Sequence, residues 1–349
     1  MASVTPINIA ILGAGSIGCY LGGCLAASNN PDLKITLIGR QRLQQQIADH
    51  GLTVTDWRGR NSQVMASQIQ FALSPAVLAK ADVILLTVKS GDSAAAAAQI
   101  VQYANPAATV ISFQNGVSNV ELLQSLLPNQ RILRGMVPFN VFNQGDGHFH
   151  CGTEGDLALE AISASDSPAV AGLIRGLAQA QLPLRQYENM LEVQWGKLII
   201  NLNNAVNALA GIPLRDQLNH RQYRQVMALV ITEALGILKQ AGITPARSGK
   251  VVPALLPHIL RLPNVLFRRV ASAMLKVDPQ ARSSMYEDLQ LHRKTEIDYL
   301  NGEIVQLAQQ HRLSANANGA IVALVKQAEQ AEVGSPQLSA PALLQQLQK

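Results

Sequence analysis

The first eighteen residues constrain the fold more than any other part of this chain. A short apolar run, Ile7–Leu12, leads directly into Gly13-Ala14-Gly15-Ser16-Ile17-Gly18, a Gly-x-Gly-x-x-Gly pattern. The first glycine of such a pattern permits a tight turn, the second lets a pyrophosphate approach the backbone, and the third lets the next helix pack on the strand. An ordinary glycine turn is the alternative. A second apolar run at 34–38, at the spacing of a βαβ unit, favours a dinucleotide site whose phosphates lie at the helix N-terminus.

The residues after the second predicted strand bear on the type of dinucleotide. Folds that select NAD usually place Asp or Glu there, whereas this chain has Gly39, Arg40 and Arg42. A guanidinium offers a ribose 2′-phosphate a planar set of charged donors, which a carboxylate would repel. Arg40 therefore predicts NADP(H) as the cofactor, with a solvated loop charge as the alternative.

Two further apolar runs, at 81–88 and 109–113, are typical of buried parallel strands, and the alanine-rich stretch 93–103 between them predicts a helix. Lys89 follows the first strand, and Asn115 follows the second. Ligands bind at the carboxyl ends of strands in such sheets, so both side chains are candidate site residues.

Later patterns divide the chain. Runs at 131–138 and 157–161 predict two more strands, joined by the glycine-rich turn 145–147. Strand patterns then fade and long helical patterns follow, so we expect an α/β Rossmann-type NADP-binding domain at 1–187 and an all-α substrate and catalytic domain at 188–334. The remainder, 335–349, is rich in Ser, Pro, Gln and Ala and is predicted to be a mobile tail.

One lysine and four asparagines interrupt an otherwise apolar helical run, 195–207. A buried ammonium or amide without a partner costs several kcal/mol, so these side chains should line a cavity or bind a ligand. At about 100° per residue, Lys197, Asn201 and Asn204 share one face of the helix.

A third polar anomaly lies in a long helix predicted to begin near residue 283. Glu296 falls within its apolar stripe, which comprises Met285, Leu289, Leu300, Ile304 and Leu307. Either Glu296 serves a site, or it pairs with Arg293 while the stripe shifts toward Ile297. The serines that begin this helix, Ser283 and Ser284, either cap it or bind a carboxylate.

Composition argues against several other classes of protein. The chain has 28 basic and 23 acidic side chains, no long basic run and only 4% aromatic residues, which favours small anionic ligands over nucleic acid. The three cysteines form no Cys-x-x-Cys motif and the seven histidines show no ligand spacing, so a reduced protein without a bound metal is expected.

No leader is evident, and prolines interrupt the apolar segment 251–267. We expect a cytoplasmic protein without a membrane span, and the segment leaves a homodimer open.

Taken together, the motifs resemble the ketopantoate reductases (2-dehydropantoate 2-reductases). They occur in the order of that family and cover the chain to about residue 330. The matching stretches are Gly13-Ala14-Gly15-Ser16-Ile17-Gly18, Leu86-Thr87-Val88-Lys89, Gln114-Asn115-Gly116, Lys197-Leu198-Ile199-Ile200-Asn201, Arg282-Ser283-Ser284-Met285 and Lys294-Thr295-Glu296-Ile297-Asp298.

The resemblance implies NADPH-dependent reduction of 2-dehydropantoate to pantoate, on the route to pantothenate and coenzyme A. It also implies the role of each matching residue. Lys197 corresponds to the proton donor, and Asn201 and Ser284 correspond to substrate ligands. Glu296 and Lys89 correspond to residues beside the cofactor, and Val141 to a residue whose backbone contacts it. Asn115 corresponds to a residue that contacts both the substrate and the cofactor.

One position departs from the family pattern. A second substrate asparagine is expected eight residues after the lysine, where this chain has Ala205. Asn204 lies one residue earlier and is assigned this role, with Asn207 as the alternative. Because folds and cofactors are shared across many such enzymes, a reductase of another small 2-oxo or 3-hydroxy acid is an alternative, and a non-catalytic NADP(H) sensor is a second. The apolar helix should lower the pKa of Lys197 and Glu296 should raise it, and the sequence does not decide between them.

Overall fold

A computed structural model describes residues 5–247, 249, 251–275 and 280–347. The chain divides into two compact units. The first extends to Gln114 and resumes over Ser118–Met190, and the second contains Asn115–Val117 and the chain from Leu191 onward. Asn115–Val117, which come soon after the predicted strand at 109–113, therefore group with the helical unit. No local pattern in the sequence indicated this.

The first unit contains twelve strands and five helices within the described residues. They are β1 (Ile7–Leu12), α1 (Ser16–Ala27), β2 (Leu33–Ile38), α2 (Gln41–His50), β3 (Leu52–Asp56), β4 (Asn61–Val64), β5 (Gln70–Ala72), β6 (Val83–Leu86), α3 (Ser93–Tyr103), β7 (Thr109–Ser112), α4 (Asn119–Leu126), β8 (Arg131–Met136), β9 (Val141–Gly145), β10 (His148–Cys151), β11 (Leu157–Glu160), α5 (Pro168–Gln179) and β12 (Leu184–Tyr187).

Eight of these strands form one sheet, in the order β12-β11-β8-β7-β6-β1-β2-β5. The six strands from β5 to β8 are parallel and follow the order of the Rossmann fold, in which the chain reverses direction across the sheet between β1 and β6. β11 joins this sheet antiparallel to β8. The predicted Rossmann-type α/β class is confirmed.

Alternating side chains of β1 supply both faces of the sheet. Ile9 and Ile11 lie in a core with α1 and α5, whereas Ala10 and Leu12 lie in a second core with α3 and α4. Because helices cover both faces, β6 and β7 are buried along their whole length. This burial explains why both strands appear in the sequence as continuous apolar runs.

A separate four-stranded sheet, in the order β4-β3-β10-β9, packs against α1. Its hairpin β9–β10 turns at 145–147, where Gly145, Asp146 and Gly147 all have positive φ. The prediction that this turn joins the strands at 131–138 and 157–161 is therefore wrong. The turn belongs to an inserted hairpin, which pairs with β3 because Phe149 and Cys151 can then be buried beside Val54.

Within the described residues, the second unit is built from helices and the loops that join them. Its helices are α6 (Met190–Asn201), α7 (Asn203–Ala210), α8 (Leu214–Asn219), α9 (Arg221–Gln240), α10 (Leu256–Arg261), α11 (Asn264–Val270), α12 (Ser284–Gln290), α13 (Asn301–Gln310), α14 (Asn316–Ala331) and α15 (Ala340–Leu347). The long helix α9 lies at the centre, in contact with α7, α8, α10, α13, α14 and α15. None of the helices described is long and apolar enough to cross a membrane.

The apolar segment 251–267 is attached to α9 by a buried arginine. Arg224 is fully buried and donates hydrogen bonds to the carbonyl oxygens of Leu218, Leu260 and Leu262, and its guanidinium stacks on the ring of Phe267. Phe267 and Leu260 lie in the core. The segment is thus largely an internal element, although Val265 on α11 is 81% exposed.

The long helix predicted from residue 283 is interrupted, and that prediction is wrong. α12 ends at Gln290, where His292 adopts a positive φ and the N–H of Arg293 bonds to Asp288 O at 2.8 Å. Together with the bond from His292 N–H to Leu289 O at 3.1 Å, this bond forms a Schellman motif, which ends a helix by satisfying its last carbonyl groups. Met285 and Leu289 on α12 are still buried, as are Ile304 on α13 and Leu300 directly before it. Glu296 lies between the helices, before a 3₁₀ turn at Ile297–Tyr299.

The tail predicted at 335–349 is also different from expectation. Ser335 donates a hydrogen bond to Ala208 O, and Leu338 N–H bonds to Leu209 O, so the segment follows α7. α15 then buries Leu343 and Leu347 in the main core of the unit. Apolar residues spaced four apart were enough to dock a helix whose composition is otherwise low in complexity. Residues 348–349 lie outside the described part of the chain.

Candidate active site

The glycine turn after β1 has the geometry of a dinucleotide site. Gly13 has φ +106°, and a Cβ there would lie 2.6 Å from the backbone nitrogen of Val88. A Cβ at Gly18 would meet Gly13 O at 2.5 Å, because α1 packs directly on the turn. Gly15, in contrast, faces open space. The three glycines thus provide a turn, a place for a ligand to approach, and a close helix contact, which fits a bound pyrophosphate.

The helix that follows also suits an anion. α1 begins after Gly15 with no side-chain cap and no acidic residue in its first turn, so its first N–H groups present a positive end. Ala14, Ser16 and Ile17 form this turn and the start of the helix, as the sequence predicted. Thr87, directly after β6, holds the turn in place through a 2.7 Å hydrogen bond from Oγ1 to Gly13 O.

The structure brings Arg40 next to this turn. Ala14 N–H bonds to Ile38 O at 2.9 Å, and a Cβ at Gly39 would lie 2.7 Å from that of Ala14. Arg40 follows as the residue before α2, in extended backbone. Its side chain and that of Arg42 are exposed and make no hydrogen bond or ion pair with any described residue. Two guanidinium groups are therefore available on the loop that follows β2.

The other predicted residues of the first unit lie at strand ends. Lys89 is exposed and follows β6, and half-buried Val141 begins β9. Sequence reasoning missed the role of Gln114. Its buried amide donates to Ser93 Oγ at 2.8 Å and to Val88 O at 3.2 Å, and so fixes the end of β7.

In the second unit, three predicted residues form a chain of hydrogen bonds. Lys197 Nζ donates to Asn115 Oδ1 at 2.8 Å, and Asn115 Nδ2 donates to Glu296 Oε2 at 2.9 Å. The ammonium requires an acceptor and the carboxylate a donor, so the amide orientation of Asn115 is determined. Asn115 lies between a cation and an anion and holds both at defined distances.

The segment that carries Glu296 is held from α14. Glu329 accepts a 2.7 Å hydrogen bond from the N–H of Thr295, and Lys326 forms an ion pair with Asp298 at 2.7 Å. These contacts replace the helix that the sequence predicted around Glu296. Sequence reasoning did not identify Glu329, since a single glutamate on an amphipathic helix carries no distinguishing pattern.

Burial and charge act in opposite directions on Lys197. Desolvation is the larger effect and lowers the pKa of the ammonium to about 8, while the negative charge of Glu296 raises it. The structure thus answers a question that the sequence left open. A lysine that titrates near neutral pH is a much better proton donor at physiological pH than one with its ordinary pKa.

The asparagines of 195–207 divide into two groups. α6 ends at Asn201 and α7 begins at Asn203, with Leu202 still in helical backbone, so Lys197, Asn201 and Asn204 keep one face. The amides of Asn201 and Asn204 are half-buried and make no side-chain hydrogen bond with any described residue. They are therefore available to a ligand.

Asn207 has a different environment. It is fully buried, donates to Ile212 O at 2.9 Å and to Gln217 Oε1 at 2.8 Å, and accepts from the N–H of Ser283 at 2.8 Å. Gln217 in turn donates to Asn203 Oδ1 at 2.7 Å. The amide groups of Asn207 are already used within the fold, which excludes it as the alternative substrate ligand.

The two serines at the start of α12 have separate roles. Ser283 caps the helix: its Oγ accepts from Tyr286 N–H at 3.2 Å and donates to Asn204 O at 2.9 Å. Ser284 is exposed, and its hydroxyl makes no hydrogen bond with a described residue. Because Ser283 ties α12 to α7, the Ser284 hydroxyl is held near the turn that carries Asn204.

Comparison with known proteins identifies the family. The family model described as ketopantoate reductase PanE/ApbA matches residues 9–164, and the model of its C-terminal domain matches residues 189–329. A 2-dehydropantoate 2-reductase from Halobacterium salinarum is 23% identical over 93% of this chain and 99% of its own length.

Two solved structures are similar over most of the chain. A PanE/ApbA family ketopantoate reductase from Ralstonia eutropha is 30% identical, with a TM-score of 0.78, over 93% of this chain and 99% of the other. D-mandelate dehydrogenase, in a ternary structure with NADH and anilino(oxo)acetate, is 21% identical with a TM-score of 0.76, over the same shares of the two chains. The second comparison shows the fold alone.

The Rossmann-type unit, the helical unit and the matching models define the class as an oxidoreductase that acts on a CH–OH group. More narrowly, this chain belongs to the ketopantoate reductase (PanE/ApbA) family, since the two models together match most of its length.

Proposed function

We propose that this chain is a cytoplasmic 2-dehydropantoate 2-reductase, which reduces the ketone of 2-dehydropantoate to the alcohol of pantoate with NADPH, in pantothenate and coenzyme A biosynthesis. The observation that carries this proposal is the hydrogen-bonded chain of Lys197, Asn115 and Glu296 beside the amides of Asn201 and Asn204. It joins a proton donor to polar groups suited to a small hydroxylated acid.

The first unit would hold the cofactor. The turn Gly13–Gly18 and the N-terminus of α1 would bind the pyrophosphate, and Arg40, assisted by Arg42, would bind the 2′-phosphate. Lys89, Asn115, Val141 and Glu296 would complete the contacts. When bound, NADPH supplies the hydride for the carbonyl carbon.

Lys197 supplies the proton. Its ammonium stabilises the negative charge that develops on the carbonyl oxygen, and the Nζ–H bond then breaks as the O–H bond of the alcohol forms. The neutral amine regains a proton from solvent. Desolvation supports this role because it lowers the pKa of Lys197 to about 8, so the proton is released more readily than from an exposed lysine.

The remaining polar groups would orient the substrate. The amides of Asn201 and Asn204 would bind its hydroxyl group, and the Ser284 hydroxyl, at the first turn of α12, would bind its carboxylate. Asn115 would contact both substrate and cofactor. Such positioning contributes as much to the rate as the acidity of the donor does.

An assay of dinucleotide oxidation tests the proposal directly. The protein is incubated with NADPH or NADH and a panel of 2-oxo acids: 2-dehydropantoate, its analogue without the 4-hydroxyl group, phenylglyoxylate and pyruvate. We expect the highest kcat/KM for 2-dehydropantoate with NADPH. If another acid were reduced and 2-dehydropantoate were not, the proposed substrate would be wrong. Faster turnover with NADH than with NADPH would contradict the proposed cofactor.

A second candidate function is the reduction of a different small 2-oxo acid, and position 205 favours it. Ala205 is fully buried and carries no polar group, where the family pattern has a substrate asparagine. The solved D-mandelate dehydrogenase, with its bound anilino(oxo)acetate, has a similar fold. High kcat/KM for phenylglyoxylate in the same panel would support this candidate, whereas NADPH binding without turnover of any acid would support a sensor.

A further inference from the structure

A glycine directly before Lys197 is in contact with the backbone of a distant segment. An ideal Cβ at Gly196 would lie 2.1 Å from Ala246 O, 3.1 Å from its carbonyl carbon and 3.4 Å from its nitrogen. All three atoms belong to the backbone and cannot move aside as a flexible side chain could. Only glycine therefore allows this segment to lie so close to α6.

We call residues 243–247, which follow α9, the strap. The strap is held at both ends of its path. The N–H of Ile243 bonds to Leu238 O at 2.9 Å, and the N–H of Ala246 bonds to Glu192 O at 2.9 Å. Glu192 and Gly196 are four residues apart, so they lie on one face of α6. Ala246 thus crosses α6 over the turn that precedes Lys197.

Two glycines in other helices of the second unit lack such a neighbour. A Cβ at Gly236 in α9, or at Gly319 in α14, would meet no atom within 4 Å. Glycine within a helix costs roughly 0.5–1 kcal/mol relative to alanine. At position 196 the glycine is required, because it permits the contact between the strap and α6.

We propose that Gly196 is a positioning residue for Lys197: by letting the strap lie directly on α6, it keeps water from the Lys197 ammonium and holds this group as a proton donor. The inference rests on the proposed function for the role of Lys197. Lys197 is the next residue along the helix, so its side chain leaves α6 about 100° around the axis from the strap. Removal of water from the ammonium is the main reason for its lowered pKa.

The experiment compares Gly196→Ala with Gly236→Ala, a glycine change of the same kind in open space. The pKa of Lys197 is measured by competitive acylation with acetic anhydride across pH, followed by peptide mass spectrometry, which requires no turnover. We expect a pKa near 8 in the wild type and in Gly236→Ala. In Gly196→Ala the displaced strap admits water, and the pKa should rise toward the ordinary value of 10.5.

Kinetics provide a second readout. The alkaline fall in turnover should move to higher pH in Gly196→Ala, with kcat lowered about tenfold at neutral pH because the amine is displaced and less acidic. Ala246→Pro releases the strap without any change in α6, since proline cannot donate the hydrogen bond to Glu192 O. This variant should shift the pKa in the same direction, and it replaces Gly196→Ala if that protein does not fold.

The outcomes separate the two proposals. An unchanged Lys197 pKa in both folded variants, or a wild-type pKa near 10.5, would overturn the positioning role. If the pKa shifts as expected but the wild type reduces no oxo acid, the positioning of Lys197 stands and the proposed function fails. If the wild type reduces 2-dehydropantoate but the Lys197 pKa does not shift in the folded variants, the proposed function stands and the positioning role of Gly196 fails.

Discussion

Lys197 Nζ lies 2.8 Å from Asn115 Oδ1, although the two residues are 82 positions apart in the chain. Asn115 follows the parallel strand β7, yet it groups with the helical unit. The same amide also donates a hydrogen bond to Glu296, so one side chain contacts both the ammonium of Lys197 and a carboxylate. The electrostatic properties of Lys197 therefore depend on a residue outside its own helix.

Reduction should slow as the pH rises through about 8, because only the protonated form of Lys197 can donate a proton. Glu296→Gln removes the charge that raises the pKa of this lysine, so the alkaline fall should move to lower pH. The measurement is kcat/KM with NADPH as a function of pH. An unchanged profile in Glu296→Gln would show that this carboxylate does not act on Lys197.

Lys197→Ala should lower kcat by about two to four orders of magnitude while NADPH binding stays nearly intact, because the side chain acts on the substrate oxygen. Isothermal titration with NADPH and steady-state assays give the two quantities. Unchanged turnover in this variant would remove the proposed mechanism.

Lys197→Met should be more stable than the wild type at pH 7, by on the order of 1–3 kcal/mol. The folded-state pKa of about 8 lies below the ordinary 10.5, so the unfolded chain binds more protons between these values. The cost of burying the charge is full below pH 8 and disappears as the pH rises to 10.5. Urea unfolding of both proteins at pH 7, 9 and 10.5 should show the difference shrinking, and a constant difference would contradict it.

Arg40→Ala should weaken NADPH binding by about tenfold or more and leave NADH binding nearly unchanged, because a charge-assisted contact with the 2′-phosphate is lost. Arg58→Ala, another exposed arginine of the same unit, is the matched control and should change neither affinity. Equal losses for both dinucleotides in Arg40→Ala would place recognition of the 2′-phosphate elsewhere.

Asn204→Ala and Asn207→Ala form a contrasting pair on one helix. Asn204→Ala should raise KM for the oxo acid with little loss of stability, since its amide has no partner among the described residues. Asn207→Ala leaves buried groups of Gln217 and Ser283 without partners, and should lower the free energy of unfolding by about 1–3 kcal/mol or more. Urea unfolding and steady-state kinetics separate the two effects. If Asn207→Ala raised KM and Asn204→Ala lowered stability instead, Asn207 would be the substrate ligand and Asn204 the structural residue.

Leu343→Ala should lower the free energy of unfolding by about 2–5 kcal/mol, because this side chain of α15 is fully buried. Val333→Ala, at a position that is 76% exposed, should change stability by less than about 0.5 kcal/mol. Thermal or urea unfolding provides the comparison. A negligible effect at Leu343 would mean that α15 is not docked in solution.

Local signals predicted much of the first unit. The helix at 93–103 was predicted with its exact bounds, and the turn Gly13–Gly18 follows its strand as expected, since each depends on residues adjacent in the chain. The four-stranded sheet was missed. Its strands pair residues such as Thr53 and His148, which lie far apart in sequence, and no local pattern identifies such partners. The interruption after α12 was missed because αL backbone at a histidine leaves little trace in an apolar period.

The sequence by itself determined which chemical groups this protein has: a dinucleotide turn, a cation after the second strand, and a lysine with asparagines on one apolar helix. These follow from short-range spacing. Only the tertiary structure decided which of them lie close together and which are already bonded within the fold. It placed Asn115 within hydrogen-bond distance of Lys197, and it used the amide of Asn207 within the core. It left the side chains of Asn204 and Ser284 without hydrogen bonds to described residues. Desolvation also outweighs the charge of Glu296 in its effect on the pKa of Lys197. Each of these depends on distances between residues far apart in the chain, which spacing along the sequence does not contain.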